Sequence, residues 1–368
     1  MGIVDKKVEL IELFYDLIFV YAISRLTTLI REPVNGIMHP FFVYLIISFV
    51  ILQAWLYFTN YINRYGKWEK HDYILTVINM IAVIYIANTI NTQWNQMVLP
   101  FNISMLVMFL TVIGLYYIHD RKQENKNNSA HNSIKIITIV CMVYVIALIA
   151  LFSNSLRFAI WIDAVAVVIG AFLPFFLRGN FDKRIVNFPH LVERFELLTI
   201  ITFGEAVVGM TYFFDITSLN LRSFLVFFIV LSMFAAYVIQ IHRLMDHHRE
   251  EMGFKLMFTH YFIIISINLI TVVFELLHSG EFDPLFESIV MIISLIVFYI
   301  SLMANKSYYK DGIVFTRNDS IKMIICIAAG SLIMLLFNDA PHGFLLGVLV
   351  VTCGNFIVLA QIQQKFLK

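Results

Sequence analysis

The chain has 368 residues, of which 60% are hydrophobic and 14% charged, and its formal net charge is +1. A soluble domain carries about 45–50% apolar and about 25% charged residues, so this composition excludes a water-soluble fold and requires lipid contact. The basic residues are spread over loops, which gives no support to nucleic-acid binding.

Apolar runs fall at 10–30, 41–60, 72–90, 98–118, 134–152, 157–177, 191–212, 221–241, 255–278, 285–304, 321–337 and 341–363. About twenty apolar residues cross the hydrocarbon layer as a helix. Barrel strands would be about half as long and alternate in polarity, which these do not. Lipid offers nothing to unpaired backbone groups, so helices remain. The sequence therefore predicts an all-α, polytopic membrane protein with twelve transmembrane helices. Pro40, Pro100, Pro284 and Pro341 are expected at or just before helix starts, where the missing N–H matters least. The first nine residues carry Lys6 and Lys7 and lead into a segment with carboxylates, so no signal peptide is expected. Cys141, Cys326 and Cys353 stand alone in apolar runs and read as packing residues, with no metal or cofactor implied.

The lysines and arginines orient this arrangement. Twenty-one fall on the side of the N-terminus, three on the other side, and two, Arg25 and Arg194, inside spans. The positive-inside rule then puts both termini in the cytoplasm of a multi-pass cell-membrane protein.

The spans also read as a duplication. Glu12-Leu13-Phe14 opens the first and Glu193-Arg194-Phe195 the seventh. His71 and Asn79 in the third span are matched by His260 and Asn268 in the ninth, at the same spacing. The second and eighth spans end in Asn63-Arg64 and His242-Arg243. Two parallel six-helix repeats follow, residues 1–184 and 185–368, within one membrane domain.

Ionisable groups inside a membrane are costly, and each is a functional-site candidate. They concentrate in the two matched helices. Glu9, Glu12 and Asp16 share a face of the first, with Arg25 further along. His190, Glu193 and Arg194 share a face of the seventh, which also carries Glu196 and Glu205. Three carboxylates on one face need cations nearby, and Arg194 and His190 are the candidates. Arg25 and Glu205 fall at matching depth and are candidates for a second pair. Acidic residues in a first helical turn also have a plain structural role at the positive dipole end. Asp163, Asn79 and Asn268 are secondary candidates. The asparagines are suited to bonding across helices, and Asp163 has no evident local partner.

Glu12-Leu13-Phe14-Tyr15-Asp16-Leu17-Ile18-Phe19-Val20-Tyr21-Ala22 resembles the opening signature of the bacterial low temperature requirement A (LtrA) family. His190 to Phe195, followed by Gly204-Glu205, resembles that family's second signature. Trp55 to Arg64 looks like its aromatic second span. The resemblance covers essentially the whole chain and implies a multi-pass bacterial membrane protein associated with growth in the cold. It marks Glu12, Asp16, Glu193, Arg194 and Glu205 as signature positions without giving them a task.

The expected function is a secondary transporter or ion-coupled carrier whose partners are membrane lipids and a small solute or ion. Two alternatives remain open. One is a lipid-modifying membrane enzyme, for which no nucleophile elbow, phosphate loop or metal motif is found. The other is a structural or stress-related membrane protein without catalysis.

Overall fold

The computed structural model describes residues 6–26, 28–31, 38–90, 94–122, 128–153, 156–177, 181–214, 220–280 and 283–367. Within these residues the protein is all-α, without strands, and has twelve helices of seventeen residues or more. They are α1 (Leu10–Leu26), α2 (Met38–Tyr65), α3 (Lys70–Thr89), α4 (Trp94–Lys122), α5 (Asn128–Phe152) and α6 (Leu156–Phe176). The others are α7 (Phe188–Thr211), α8 (Leu221–Tyr237), α9 (Phe254–Ser279), α10 (Pro284–Ala304), α11 (Arg317–Leu336) and α12 (Pro341–Leu367). A single helical turn, Thr28–Arg31, follows α1, and α8 continues as a widened π-type turn over Val238–Leu244.

Nine of the described helices are long and apolar enough to cross a membrane. Within α6 the stretch Phe158–Pro174 is apolar but shorter, while α1 and α7 carry the densest ionisable groups. Several helices are longer than their apolar runs because polar ends stay helical. α4 extends to His119 and Lys122, and α2 to Tyr65. Pro100 corrects one expectation: it lies inside α4 rather than at its start. Its missing N–H leaves the Gln96 carbonyl, close to the helix start, without its i+4 donor, a local loss confined to the second turn.

The side chains are arranged inside out relative to a soluble protein. On α1, Leu10, Phe14 and Leu17 are exposed, at 81%, 55% and 51%, while Glu12 and Asp16 are fully buried. That is the pattern of a helix turning its apolar face to lipid and its charges to protein.

The chain forms two compact units. Unit 1 comprises residues 1–194 and 248–254, and unit 2 comprises 195–247 and 255–368. In unit 1, α1 packs on α2 and α3, α2 on α4 and α6, α3 on α4, α4 on α5, and α5 on α6. In unit 2, α8 packs on α12, α10 on α11 and α12, and α11 on α12. The Phe195 ring of α7 lies 4.7 Å from that of His260 on α9, and the Tyr237 hydroxyl of α8 is 3.1 Å from His260 Nε2. Thr259 of α9 donates to Asn305 Oδ1 beside the end of α10 at 3.0 Å, and Gln240 beyond α8 donates to the Leu302 carbonyl. α11 and α12 meet through glycines. A Cβ on Gly330 would stand 2.5 Å from the Gly347 carbonyl oxygen, and one on Gly347 would stand 2.8 Å from the Gly330 carbonyl oxygen. Small residues at such a crossing let membrane helices pack backbone to backbone.

Candidate functional site

The site begins with two helix starts. Asn187 caps α7: its side-chain oxygen accepts from the His190 N–H at 3.1 Å, and its carbonyl accepts from the Leu191 N–H. Asn63, near the end of α2, holds that cap in place. Its Nδ2 donates to the Asn187 carbonyl at 2.7 Å, and its Oδ1 accepts from the Asn187 N–H at 3.2 Å. At the start of α1, Glu12 Oε1 accepts from the Glu9 N–H at 3.3 Å, half of a capping box. Glu12 therefore has the plain structural role, and also a second one.

That second role is to grip Arg194. Glu12 and Asp16 are four residues apart and so lie on one face of α1. The Arg194 guanidinium spans them, donating through one terminal nitrogen to Glu12 Oε2 and through the other to Asp16 Oδ1, each at 2.5 Å. Trp55 of α2 donates its indole N–H to the same Asp16 oxygen at 2.7 Å, and its ring lies 5.6 Å from the guanidinium carbon. Cation–π attraction acts at that distance. Trp68, in the turn after α2, donates to Glu12 Oε1 at 3.3 Å. Glu12, Asp16, His190 and Arg194 are all 0% exposed.

The hydrogen bonds fix the tautomer of His190. Asn63 is pinned by Asn187 in the orientation that points its amide Nδ2 at His190 Nδ1, 3.1 Å away. Nδ1 thus accepts and the ring proton sits on Nε2, which lies 3.2 Å from Glu12 Oε2. The result is a continuous polar chain: Asn63, His190, Glu12, Arg194, Asp16, Trp55. One guanidinium faces two carboxylates beside a neutral imidazole, and the Lys6 ammonium, outside the direct contacts, acts electrostatically on Glu12 and His190. Asp16 Oδ2 receives no hydrogen bond among the described residues.

Not every sequence candidate joins this cluster. Glu193 is exposed, because position 193 turns away from the face shared by His190 and Arg194. Arg25 is exposed in the last turn of α1, and Glu205 is half-buried further along α7, within unit 2. Asp163 is buried on α6 and has a partner that local sequence did not reveal, since Asn102 of α4 donates to its Oδ2 at 3.0 Å. Its Oδ1 receives no hydrogen bond among the described residues. Asn79 bridges three helices: it accepts from Tyr15 of α1 at 2.9 Å and donates to Thr111 Oγ1 of α4 at 2.7 Å and to the Met108 carbonyl at 3.0 Å. Asn268 is buried on α9, and its Nδ2 has no acceptor among the described residues. Trp55, Trp68 and Asn63 were not singled out as site residues from the sequence, although Trp55 and Asn63 lie in the aromatic second span. The described residues contain no group of three or more His, Cys, Asp or Glu side chains placed to hold a metal ion.

Among the described residues, twelve helices of seventeen residues or more, nine of them long and apolar enough to cross a membrane, define a polytopic membrane protein. The family model described as bacterial low temperature requirement A protein (LtrA) matches residues 7–357, and the chain belongs to that family. Comparisons with curated proteins and with solved structures return no match.

Proposed function

We propose that the protein is an ion-coupled carrier of the bacterial cell membrane, in which the Glu12–Asp16–Arg194 cluster takes up and releases a proton. The observation that carries this reading is the sharing of one guanidinium by two buried carboxylates. Two fully buried carboxylates share one guanidinium, and one oxygen, Asp16 Oδ2, stands without a donor. A proton on this pair would lower its negative charge and loosen the grip on Arg194, giving two states of differing charge.

A likeness between the helix neighbours of the two units supports the reading. In unit 1 the neighbours are α1–α2, α1–α3, α2–α4, α2–α6, α3–α4, α4–α5 and α5–α6. Advancing each by six gives pairs that also meet in unit 2: α7–α8, α7–α9, α8–α12, α10–α11 and α11–α12, with Gln240 joining the α8 extension to α10 and Thr259 joining α9 to the end of α10. Internal repeats occur among secondary transporters. The bias of basic residues supports cytoplasmic termini.

A second reading is favoured by the full burial of the cluster: the same network would act only to lock α1, α2 and the start of α7 together. Reconstitution in liposomes with an entrapped pH-sensitive dye separates the two. The carrier reading expects proton flux above protein-free liposomes, lost in Asp16→Asn while the variant stays folded. Flux equal in wild type and Asp16→Asn refutes it.

A further inference from the structure

Beside the cluster, within unit 1, lies a cavity of about 370 Å³. That is in the size range of small-molecule sites. Its walls include Lys6, Arg64, Lys67 and His119, with Asn63 and Asn187, and no carboxylate lines it. Among the described residues none of the three cations is in an ion pair. The Lys6 ammonium donates to the Ile62 carbonyl and, at 2.9 Å, to the Gly66 carbonyl at the end of α2. Arg64 stacks over the Phe181 ring at 5.4 Å, with its Nε buried and lacking an acceptor. His119 Nε2 is likewise buried without a partner. Asp182, close in sequence to Phe181, is already engaged by Arg184 at 3.0 Å.

Buried nitrogens without partners, in a cavity whose cations are in no direct ion pair, raise the energy of a site until an anion fills it. Arginine presents a fork suited to phosphate, and lysine a point charge beside it. Basic pockets between helices at a membrane's inner face suit phosphate-bearing groups. We propose that this cavity binds a phosphate group, carried either by a small soluble anion or by a lipid headgroup. Its wall is continuous with the buried chain through Asn63, which faces the cavity and approaches His190 at 3.1 Å. Occupancy is thereby linked to the His190–Glu12 contact. The proposal stands independently of proton coupling, since it concerns a different ligand and different side chains.

The test uses the full-length protein in detergent. Inorganic phosphate is titrated calorimetrically at constant ionic strength against wild type, Arg64→Gln, Lys67→Gln and the exposed control Lys135→Gln. Native mass spectrometry of the same preparations reports co-purified anionic phospholipid. For a soluble phosphate, saturable binding is expected in wild type and Lys135→Gln and weakened about tenfold or more in Arg64→Gln and Lys67→Gln, the loss of one charge-assisted hydrogen bond. For a lipid headgroup, free phosphate does not bind, while bound phospholipid is present in wild type and depleted in the two cavity variants. Lys67 is exposed, so its variant should fold even if Arg64→Gln does not. Absence of both signals, or signals unchanged in Lys67→Gln, overturns the proposal.

Discussion

Arg194→Met is the sharpest perturbation of the cluster. It keeps much of the side-chain volume and removes the charge, leaving Glu12 and Asp16 fully buried one helical turn apart without their guanidinium. Removing one partner of a buried ion pair costs about 3–5 kcal/mol, and here two carboxylates are stranded, so the upper end of that range is expected. The same substitution in a Glu12→Gln/Asp16→Asn background strands no charge and should cost under about 2 kcal/mol, the scale of lost neutral hydrogen bonds. Arg194→Lys should fall between, because one ammonium cannot reproduce the fork that spans both carboxylates. Glu193→Gln, on the neighbouring exposed position, should change stability by no more than about 0.5 kcal/mol. Detergent-to-SDS unfolding followed by tryptophan fluorescence reads all four, with Trp55 reporting from inside the cluster. Equal losses for Arg194→Met in both backgrounds, or a loss under about 1 kcal/mol in the native one, would refute the charge argument.

Three further outcomes follow from other parts of the fold. Asn79→Ala leaves the Tyr15 hydroxyl and the Met108 carbonyl less satisfied and should destabilise by about 1–3 kcal/mol in the same unfolding assay, whereas a neutral effect would mean that the three-helix bridge is dispensable. Gly330→Leu should separate α11 from α12, because even a Cβ meets the Gly347 backbone; wild-type resistance to limited proteolysis in this variant would contradict the close crossing. Burial pushes the Lys6 ammonium below its ordinary value of 10.5. The unfolded chain therefore holds this proton to higher pH than the folded protein does, and stability contributed by Lys6 rises with pH between the lowered value and 10.5. The stability of wild type relative to Lys6→Met should rise over that alkaline window, and a flat difference would contradict it.

The all-helical membrane fold was readable because lipid imposes lengths and backbone rules that twenty-residue apolar runs express directly. Helical periodicity also put Glu12 and Asp16 on one face of α1 and His190 and Arg194 on one face of α7, and the structure brings these four side chains together. Glu193 was grouped with them because an i+3 spacing leaves facing ambiguous, and only packing decides that it turns outward. Trp55, Asn63 and Trp68 escaped because their roles depend on how α2 lies against α1 and α7, which no local pattern encodes. Asp163 looked isolated for the same reason, since its partner Asn102 is 61 residues away on another helix.

Proton binding by the Glu12–Asp16–Arg194 cluster is what the carrier reading requires. Infrared difference spectroscopy on the purified protein, stepped between alkaline and acidic pH, tests it most directly. A protonated-carboxyl stretching band should appear on acidification and be lost in Asp16→Asn or Glu12→Gln. A band unchanged in both variants, or none attributable to either residue, would contradict it.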